Sequence, residues 1–254
     1  MSTCSICGGV GLVRVISASG LWVSRPCDCQ EVQREERRIA AARIPERYRH
    51  YDLDGYEILR GADPSLGRAH MTARSFVEAY PVDTAGKGLL FAGSIGVGKT
   101  HLAVGVLRRL IRERGVKGLF CDYRELLKSI QNSYNSQVAT TELELLQPVF
   151  AAEVLVLDDL GAQKPNEWVW DTVALILNTR YNDNQSTIIT TNYPDRVAGA
   201  GLAIDKDGIK PAKYEDTLGD RIGDRMRSRL AEMCVRVEMK GDDFRQTVKR
   251  ARFG

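Results

Sequence analysis

The stretch GSIGVGKT, residues 93–100, matches the pattern G-x-x-x-x-G-K-[ST] of loops that hold nucleoside triphosphates. It follows the apolar run GLLFAG (88–93) and precedes an amphipathic segment, which is the strand–loop–helix context that the pattern requires. Glycines let the backbone approach phosphate oxygens closely, and the positive end of the helix adds to the attraction. We therefore expect the nucleotide to be bound by eight residues: Gly93, Ser94, Gly96, Val97, Gly98, Lys99, Thr100 and His101.

Two acidic residues end a second apolar run in VLVLDDLG (154–161). Ligands of an open α/β sheet bind at the carboxyl ends of the strands, so Asp158 and Asp159 should lie beside the phosphate loop. Lys99 should contact the β- and γ-phosphates, and the Thr100 hydroxyl should bind Mg²⁺. Asp158 would hold the same ion, largely through its water shell. Asp159 takes the position of a base that polarises the attacking water.

Turnover at such a site should be slow, because Asp159 is one methylene shorter than the glutamate that many ATPases carry there. A third apolar run, TIITTNYP (187–194), also ends in polar residues. Its Asn192 is placed to hydrogen-bond the γ-phosphate or to orient the attacking water. The alternative for both strand ends is a polar turn without a catalytic role.

Four arginines occur in GDRIGDRMRSRL (219–230). A continuous helix would place Arg221, Arg225 and Arg229 in one row. The adjacent row is apolar and includes Met226, so one edge of the helix would pack while the arginine row faces an anion or simply water.

Four cysteines form two close pairs near the amino terminus, with Cys4 and Cys7 in C-x₂-C and Cys27 and Cys29 in C-x-C. The sequence between them (11–25) alternates around a glycine-containing turn, as a β-hairpin would. Two cysteine pairs that bracket a hairpin are typical of a Cys₄ zinc ribbon. Disulfides are the alternative, and a reducing cytosol disfavours them.

Strand-like and helical segments alternate through most of the chain, which predicts an α/β fold with a mostly parallel sheet covered on both faces. The predicted strands are 88–93, 118–123, 154–159, 187–192 and 234–239, and the predicted helices are 101–114, 124–134, 142–150, 167–182 and 215–231. A charged helix, broken near Pro45, precedes them. We divide the chain into a zinc-ribbon module (1–32), a linker (33–66) and an ATPase domain (67–254).

Composition narrows the class of protein. The 254 residues are 43% hydrophobic and 27% charged, as in a soluble globular protein. No apolar run approaches the ~20 residues of a membrane span, and the first residues lack the features of a signal peptide. We therefore expect a cytoplasmic protein without membrane contact. A net charge of +3 does not by itself indicate a nucleic-acid partner.

These motifs, in this order, resemble the AAA+ ATPases of the helicase-loader clade. That clade includes the DnaC and DnaI loaders of the bacterial replicative helicase and the IstB transposition helper. The likeness covers about residues 44–250, and the Arg-rich stretch followed by a strand and DDFR is its most particular part. It implies a P-loop AAA+ core with a parallel five-stranded sheet. Because only fifteen residues follow Met239, we expect a minimal lid.

The resemblance also implies assembly into a ring or spiral, in which an arginine reaches the nucleotide of a neighbouring subunit. By motif position Arg225 is our first choice for this arginine finger and Arg221 our second. Arg227 and Arg229 would support the interface or face solvent. Arg245, in DDFR, matches an arginine near the carboxyl terminus of the loaders and would contact the nucleotide.

A zinc module precedes the ATPase core in DnaI-like loaders, where it contacts the helicase, whereas IstB-type proteins generally lack these cysteines. The implied partners are therefore a hexameric DnaB-type replicative helicase and single-stranded DNA, with ATP, Mg²⁺ and Zn²⁺ as cofactors. Lys128 and Tyr134 could contact DNA, one through phosphate and one by stacking. The alternative for these two residues is an exposed helix end.

Besides an ATP-dependent helicase loader, three other functions fit the sequence. An IstB-like helper ATPase for a DNA transposase shares almost all of the core motifs. A small-molecule kinase shares the phosphate loop but gives no reason for ITTNY or the cysteines. A zinc-bearing adaptor could bind ATP without cleaving it.

Overall fold

The computed structural model describes residues 4–135, 140–200 and 215–247. These residues form a two-stranded hairpin and a five-stranded sheet with helices on both faces. The strands are β1 (Leu12–Ile16), β2 (Trp22–Pro26), β3 (Gly88–Gly93), β4 (Gly118–Asp122), β5 (Val154–Asp158), β6 (Ser186–Thr191) and β7 (Cys234–Met239). The helices are α1 (Asp28–Ala41), α2 (Pro64–Ala79), α3 (Lys99–Arg114), α4 (Tyr123–Ser133), α5 (Glu142–Ala151), α6 (Glu167–Asn182), α7 (Leu218–Ile222), α8 (Asp224–Met233) and α9 (Phe244–Thr247).

The five strands run parallel in the order β4-β5-β6-β3-β7. Their carboxyl ends therefore meet at one edge, where Asp122 of β4 is paired in register with Asp158 of β5. Every residue of β5 and β6 is buried, because helices cover both faces of the sheet. The predicted α/β fold with a parallel five-stranded sheet is confirmed, and each predicted strand is found to within one residue at either end.

Two apolar layers enclose the sheet. One lies between the sheet and α2 and α3, with Leu102 and Leu107 fully buried. The other lies between the sheet and helices α4 to α8, with Leu127 and Leu177 at its centre.

The connector between α1 and α2 packs on the first of these layers. It contains a short 3₁₀ turn at Glu46–Tyr48 and buries Tyr48, Leu53 and Tyr56 against the core. Helix α2 was not among the predicted helices. It begins with a recognisable signal, since Asp63 accepts a hydrogen bond from the Ser65 N–H and a proline follows it.

The predicted single helix over 215–231 is wrong. Two helices occupy this stretch, because Gly223 leaves the helical conformation with φ +80° and ψ 145° between α7 and α8. A capping box of Thr217 and Asp220 fixes the start of α7. Arg221 and Arg225 therefore lie on different helices and do not form one row.

Within the described part of the chain, no helix has both the length and the apolar surface needed to cross a bilayer.

Candidate functional site

A cavity of about 1010 Å³ opens at the carboxyl edge of the sheet. The phosphate loop and the ends of β4, β5 and β6 line one side of it. Residues 47–63 of the connector, the first turn of α2 and the segment 241–245 line the other. The sequence predicted the phosphate loop and the ends of β5 and β6 here, whereas the end of β4 and the connector wall were not predicted.

The phosphate loop requires its glycines. Gly96 and Gly98 have φ values of +78° and +92°, a region that other residues rarely adopt. A Cβ at Gly98 would lie 2.5 Å from Cε2 of Tyr56, whose hydroxyl donates to the Val97 carbonyl at 2.7 Å. The connector therefore packs directly on the loop.

Lys99 is held inside this loop. Its Nζ donates to the carbonyls of Gly93 at 2.8 Å and Ser94 at 2.5 Å, and the residue is only 7% exposed. Burial lowers the pKa of Lys99 to about 8. An anionic ligand such as a phosphate would offset the free-energy cost of burying this ammonium group.

Asp158 and Thr100, the two residues predicted to hold Mg²⁺, are in direct contact. The hydroxyls of Thr100 and Thr190 donate to Oδ1 of Asp158 at 2.9 and 2.6 Å. Burial raises the pKa of Asp158, and the neighbouring carboxylates of Asp159 and Asp122 raise it further. Because several carboxylates and a hydroxyl meet here, the donor set fits a hard divalent cation.

Asp159 and Asn192, expected at neighbouring strand ends, are hydrogen-bonded. Asn192 Nδ2 donates to Asp159 Oδ1 at 2.7 Å. Asp159 has φ +59°, and its N–H donates to the Thr190 hydroxyl at 2.9 Å. Burial raises the pKa of Asp159, while Arg124 at the start of α4 lowers it. The carboxylate is therefore oriented by an amide that could exchange this bond for one to a ligand.

His101 faces the connector. Its Nε2 lies 2.8 Å from the Asp52 carbonyl, and the ring of Tyr51 stacks on the imidazole with centroids 4.4 Å apart. Both rings line the cavity. The contribution of His101 is thus to join α3 to the connector wall.

Arg245, for which the resemblance implies a contact with the nucleotide, lies beside the phosphate loop. It lines the cavity, and as a like charge it lowers the pKa of Lys99. The N–H of Phe244 donates to the Gly96 carbonyl at 3.3 Å, which anchors α9 on the loop.

The four arginines of the Arg-rich stretch have different environments. Arg221 is 8% exposed and bonded within the chain, whereas Arg225 is exposed and has no hydrogen bond or ion pair to the described residues. Arg227 pairs with Asp195 at 3.2 Å. Arg229 lies over the Tyr181 ring at 4.4 Å. Arg225 is therefore the member of this set whose guanidinium is presented outward.

The two residues considered for DNA contact lie on and just after α4. Lys128 is exposed. Tyr134 is 58% exposed, but its hydroxyl donates to Glu142 at 2.7 Å and accepts from Trp168 Nε1 at 3.1 Å. Part of the following polar stretch, 136–139, lies outside the described residues.

The four cysteines come together as predicted. Their sulfur atoms all lie within 4.8 Å of one another, with Cys4 and Cys27 3.9 Å apart and Cys7 and Cys29 3.5 Å apart. None of them is in a disulfide. Tetrahedral ligands at 2.3 Å from a zinc ion would be about 3.8 Å apart, so the spacing fits this metal.

The backbone around the cluster also favours thiolates. The N–H of Gly11 donates to Cys7 Sγ at 3.2 Å and lowers the pKa of Cys7 to about 6. The hydrogen bond with Cys7 raises the pKa of Cys29 to about 12. Without a cation, the thiolate of Cys7 therefore disfavours a second thiolate at Cys29. A divalent cation would stabilise both thiolates, because it binds both sulfurs in that form.

Three of the cavity residues that were not predicted contact the predicted groups or share their electrostatic environment: Asp122, Thr190 and Tyr56. Asp122 ends a predicted strand, so the reasoning used for Asp158 would have found it. Thr190 lies within ITTNY (189–193), but no role was predicted for its hydroxyl. Tyr56 reaches the phosphate loop across more than forty residues of sequence, and no local pattern predicts that contact.

Known proteins resemble most of this chain. The sequence pattern of the IstB-like ATP binding proteins matches residues 22–252. The replicative helicase loader DnaC of Buchnera aphidicola is 24% identical over 214 residues, which are 84% of this chain and 77% of that protein. The replicative helicase loader DnaI of Bacillus subtilis is 28% identical over 138 residues, and the alignment covers 54% of this chain but only 43% of DnaI.

Among solved structures, the crystal structure of a DnaC helicase loader superposes with a TM-score of 0.61 at 34% identity. It covers 77% of this chain and 100% of the loader structure. The resemblance to the helicase-loader and IstB clade is thereby confirmed, and the parallel sheet is that of an AAA+ core. The chain belongs to the IstB-like ATP-binding protein family, and its AAA+ fold is shared with the DnaC helicase loader.

Proposed function

We propose that this chain is an ATP-dependent loader that places a hexameric, DnaB-type replicative helicase on single-stranded DNA. Slow hydrolysis of Mg-ATP would control its assembly and release. The observation that carries the ATPase part is the hydrogen bond between Asn192 and Asp159, made next to the Thr100–Asp158 pair and to the buried Lys99. These groups meet at one end of the cavity, at the carboxyl edge of the sheet.

The phosphates would enter between the loop and the ends of β5 and β6. Lys99 would exchange its two carbonyl partners for β- and γ-phosphate oxygens. Thr100 and Asp158 would hold Mg²⁺, which neutralises charge on the same phosphates. Arg245 would contact the nucleotide from the side of α9.

Hydrolysis needs a water oriented toward the γ-phosphorus. The water oxygen would bond to the γ-phosphorus while Asp159 accepts a proton from the water. The bond between the γ-phosphorus and the ADP oxygen would break in the same step. Asn192 would turn from Asp159 to the γ-phosphate or the water. Because Asp159 is one methylene shorter than glutamate, its carboxylate would lie farther from the water, and we expect turnover below ~10 s⁻¹, the median for enzymes.

Arg225 is our proposed finger toward the nucleotide of a neighbouring chain. It is exposed at the start of α8. A guanidinium stays charged and can bind a phosphoryl group through two hydrogen bonds. Self-association into a ring or spiral would bring it to the open side of the next cavity, where it would stabilise charge in the transition state.

The N-terminal module would bind Zn²⁺ through Cys4, Cys7, Cys27 and Cys29 and contact the helicase. The similarity to proteins named replicative helicase loaders supports this partner. Lys128 and Tyr134 would contact single-stranded DNA, through phosphate and by stacking of the exposed ring.

The chemistry is tested by Asp159→Asn, with Asp171→Asn on the exposed side of α6 as the matched control. Loss of a general base lowers kcat by about 10²–10⁴-fold, so Asp159→Asn should lose turnover while its affinity for ATP stays within about threefold of the wild type. An Asp159→Asn chain with wild-type turnover would refute the role of Asp159, whereas ATP binding without turnover in the wild type would favour an adaptor that only binds ATP.

The partner is tested by native mass spectrometry of the zinc-loaded chain with Mg²⁺, a slowly hydrolysed ATP analogue and the replicative helicase of the same organism. We expect a complex that Cys27→Ser abolishes and that Cys121→Ser, outside the cluster, preserves. Self-assembly without helicase binding would contradict the loader function and leave the ATPase intact.

A helper ATPase for a DNA transposase is the second candidate. The match to the IstB-like family over residues 22–252 favours it. The same experiment with a transposase encoded beside the gene separates the two functions, because a helper should bind the transposase and not the helicase.

A further inference from the structure

Arg221 uses its guanidinium inside its own chain. Its Nε donates to the Gly161 carbonyl at 2.6 Å, and its Nη2 donates to the Gln163 carbonyl at 3.1 Å. Nη1 pairs with the Asp216 carboxylate at 3.0 Å. All three nitrogens are therefore engaged, and the side chain is only 10% exposed.

Two of these partners belong to the loop that follows Asp159. Asp159 and Gly161 both have positive φ, +59° and +88°, and the Ala162 N–H closes a turn on the Asp159 carbonyl at 3.1 Å. A non-glycine residue persists in this region only where its surroundings hold it. The forked guanidinium supplies donors to two carbonyls of this loop at once.

The segment that follows Asn192 packs on the same guanidinium. The ring of Tyr193 lies 4.7 Å from the Arg221 Cζ atom. A Cβ at Gly161 would meet both Arg221 and the Tyr193 ring at 3.0 and 3.1 Å, so the two segments and the arginine are tightly packed. Arg221 thus contacts the residue next to Asn192 and the loop next to Asp159.

We infer that Arg221 is a positioning residue for the nucleotide site of its own chain, and that it does not reach the nucleotide of a neighbour. It holds the loop after Asp159 against α7 and Tyr193, and so fixes the direction of the Asp159 carboxylate. This inference rests on the proposed ATPase function and on the finger role of Arg225. It assigns different roles to Arg221 and Arg225, which are only four residues apart.

The break at Gly223 allows Arg221 and Arg225 to have different roles, because it places them on separate helices. Arg221 lies before the break, on the short helix that packs on the site, and Arg225 lies after it on an exposed surface. Turning Arg221 outward would leave the carbonyls of Gly161 and Gln163 without their donor. The loop would then lose the contact that holds its strained conformation.

The test is subunit mixing. Asp159→Asn chains bind nucleotide and carry both arginines, but they do not hydrolyse it. They are mixed in equal amounts with Arg225→Ala or with Arg221→Gln chains, and the steady-state ATPase rate is measured. In a head-to-tail assembly each chain donates to one neighbour, so about a quarter of the wild-type rate per chain is recovered if the missing group acts in trans.

We expect recovery with Arg225→Ala and none with Arg221→Gln. Arg221→Gln alone should lose about 10²-fold in kcat, as an active-site displacement of about 1 Å can, while KM for ATP changes less than about threefold. Arg236→Gln, which removes a half-exposed arginine paired with Asp195, should keep the wild-type rate.

Recovery with Arg221→Gln as well as with Arg225→Ala would overturn the inference alone, because Arg221 would then act in trans. No hydrolysis by the wild-type chain would refute the proposed function, and the inference with it. If Arg221→Gln does not fold, Tyr193→Leu removes the ring beneath the guanidinium and keeps the hydrogen bonds. It should lower kcat without recovery in the mixture, and recovery would contradict the inference.

Discussion

The two regions that carry candidate chemistry differ in how their side chains are held. In the nucleotide cavity, Lys99 and Asp158 are 7% and 5% exposed and lie at the ends of a sheet that is covered on both faces. At the cysteine cluster, the hairpin leaves Ile16 and Trp22 61% and 68% exposed. Between residues 4 and 29, only Gly11 and Cys27 are buried.

The comparison shows two sources of free energy for positioning functional groups. The sheet buries apolar strands completely, and that burial can support an unfavourably buried lysine and carboxylate. A segment of about 25 residues cannot build such a core, and the proposed zinc ion would provide the energy that orders it. In that proposal the cysteines would order the module that they belong to, whereas the residues of the cavity depend on a fold that has its own apolar core.

In the proposed zinc module, removal of the metal should have the largest effect, and only on the hairpin. Structural zinc contributes on the order of 10 kcal/mol in small domains, so chelation or Cys27→Ser should unfold the hairpin. The parallel sheet should remain folded because its core does not involve the cluster. Hydrogen exchange measures both regions, with β1 and β2 losing protection and β3 keeping it.

Cys121→Ser is the control, since Cys121 lies in β4 outside the cluster. Unchanged protection of the hairpin in excess chelator would show that the module is stable without metal, and the contrast between the two regions would then be wrong.

A substitution of Arg180 tests whether the core around the sheet stabilises a buried charge through hydrogen bonds to its backbone. The residue is fully buried and donates to the carbonyls of Val149 and Ala152, both at 2.8 Å, and of Ser186 at 2.6 Å. Burial lowers its pKa to about 10. Arg180→Ala leaves these carbonyls without a donor, and we expect the free energy of unfolding to fall by about 3–5 kcal/mol.

Urea denaturation measures that loss, and the zinc content should stay the same because Arg180 lies away from the cluster. Arg74→Ala, which breaks an exposed ion pair with Asp54, should change stability by less than ~1 kcal/mol. Equal effects of the two substitutions would contradict a structural role for the buried guanidinium.

The nucleotide-free core should become more stable at alkaline pH because of Lys99. Its pKa is lowered from the ordinary 10.5 to about 8, so between these values the unfolded chain binds more protons than the folded chain. The free energy of unfolding therefore rises with pH across this window. Lys99→Met removes this dependence, and the stability of the wild type relative to the variant should increase by about 3 kcal/mol from pH 8 to 10.5.

Urea titrations of both chains at several pH values measure this difference. Taking the difference cancels the titration of tyrosines and cysteines, which both chains share. A difference that stays constant with pH would show that Lys99 is not held in a desolvated site before nucleotide binds.

Local patterns predicted much of this molecule. The phosphate loop, the polar ends of β5 and β6 and the cysteine pairs are each encoded within a few residues, so they could be located from the sequence. Contacts between distant segments could not. The packing of Tyr56 on Gly98 joins the connector to the phosphate loop, and nothing periodic marks it.

The Arg-rich stretch shows why pattern alone failed at one point. Its apolar spacing suits a continuous helix, but Gly223 can adopt a conformation that ends one helix and starts another. That break separates the buried Arg221 of the expected row from the exposed Arg225 and the partly exposed Arg229, which share α8. The direction of Arg221 depends on the loop after Asp159, which lies about sixty residues earlier in the chain.

The smallest effect on stability should come from the exposed hairpin residue Trp22. Trp22→Ala removes a large side chain that is already in water, so we expect the free energy of unfolding of the zinc-loaded chain to change by less than ~0.5 kcal/mol. Phe91→Ala, in β3 where the side chain is fully buried, should cost about 3–5 kcal/mol. Denaturation of the two zinc-loaded variants measures this contrast directly.

Trp22 should matter instead for binding. An exposed aromatic residue is often an anchor at a protein interface, and its truncation there typically costs 2 kcal/mol or more, about thirtyfold in affinity. In the loader function, Trp22→Ala should therefore weaken capture of the helicase while zinc content and ATP turnover stay unchanged. If Trp22→Ala instead destabilised the module as strongly as Phe91→Ala destabilises the sheet, the hairpin would have a packed core, and metal binding would not be its main source of order.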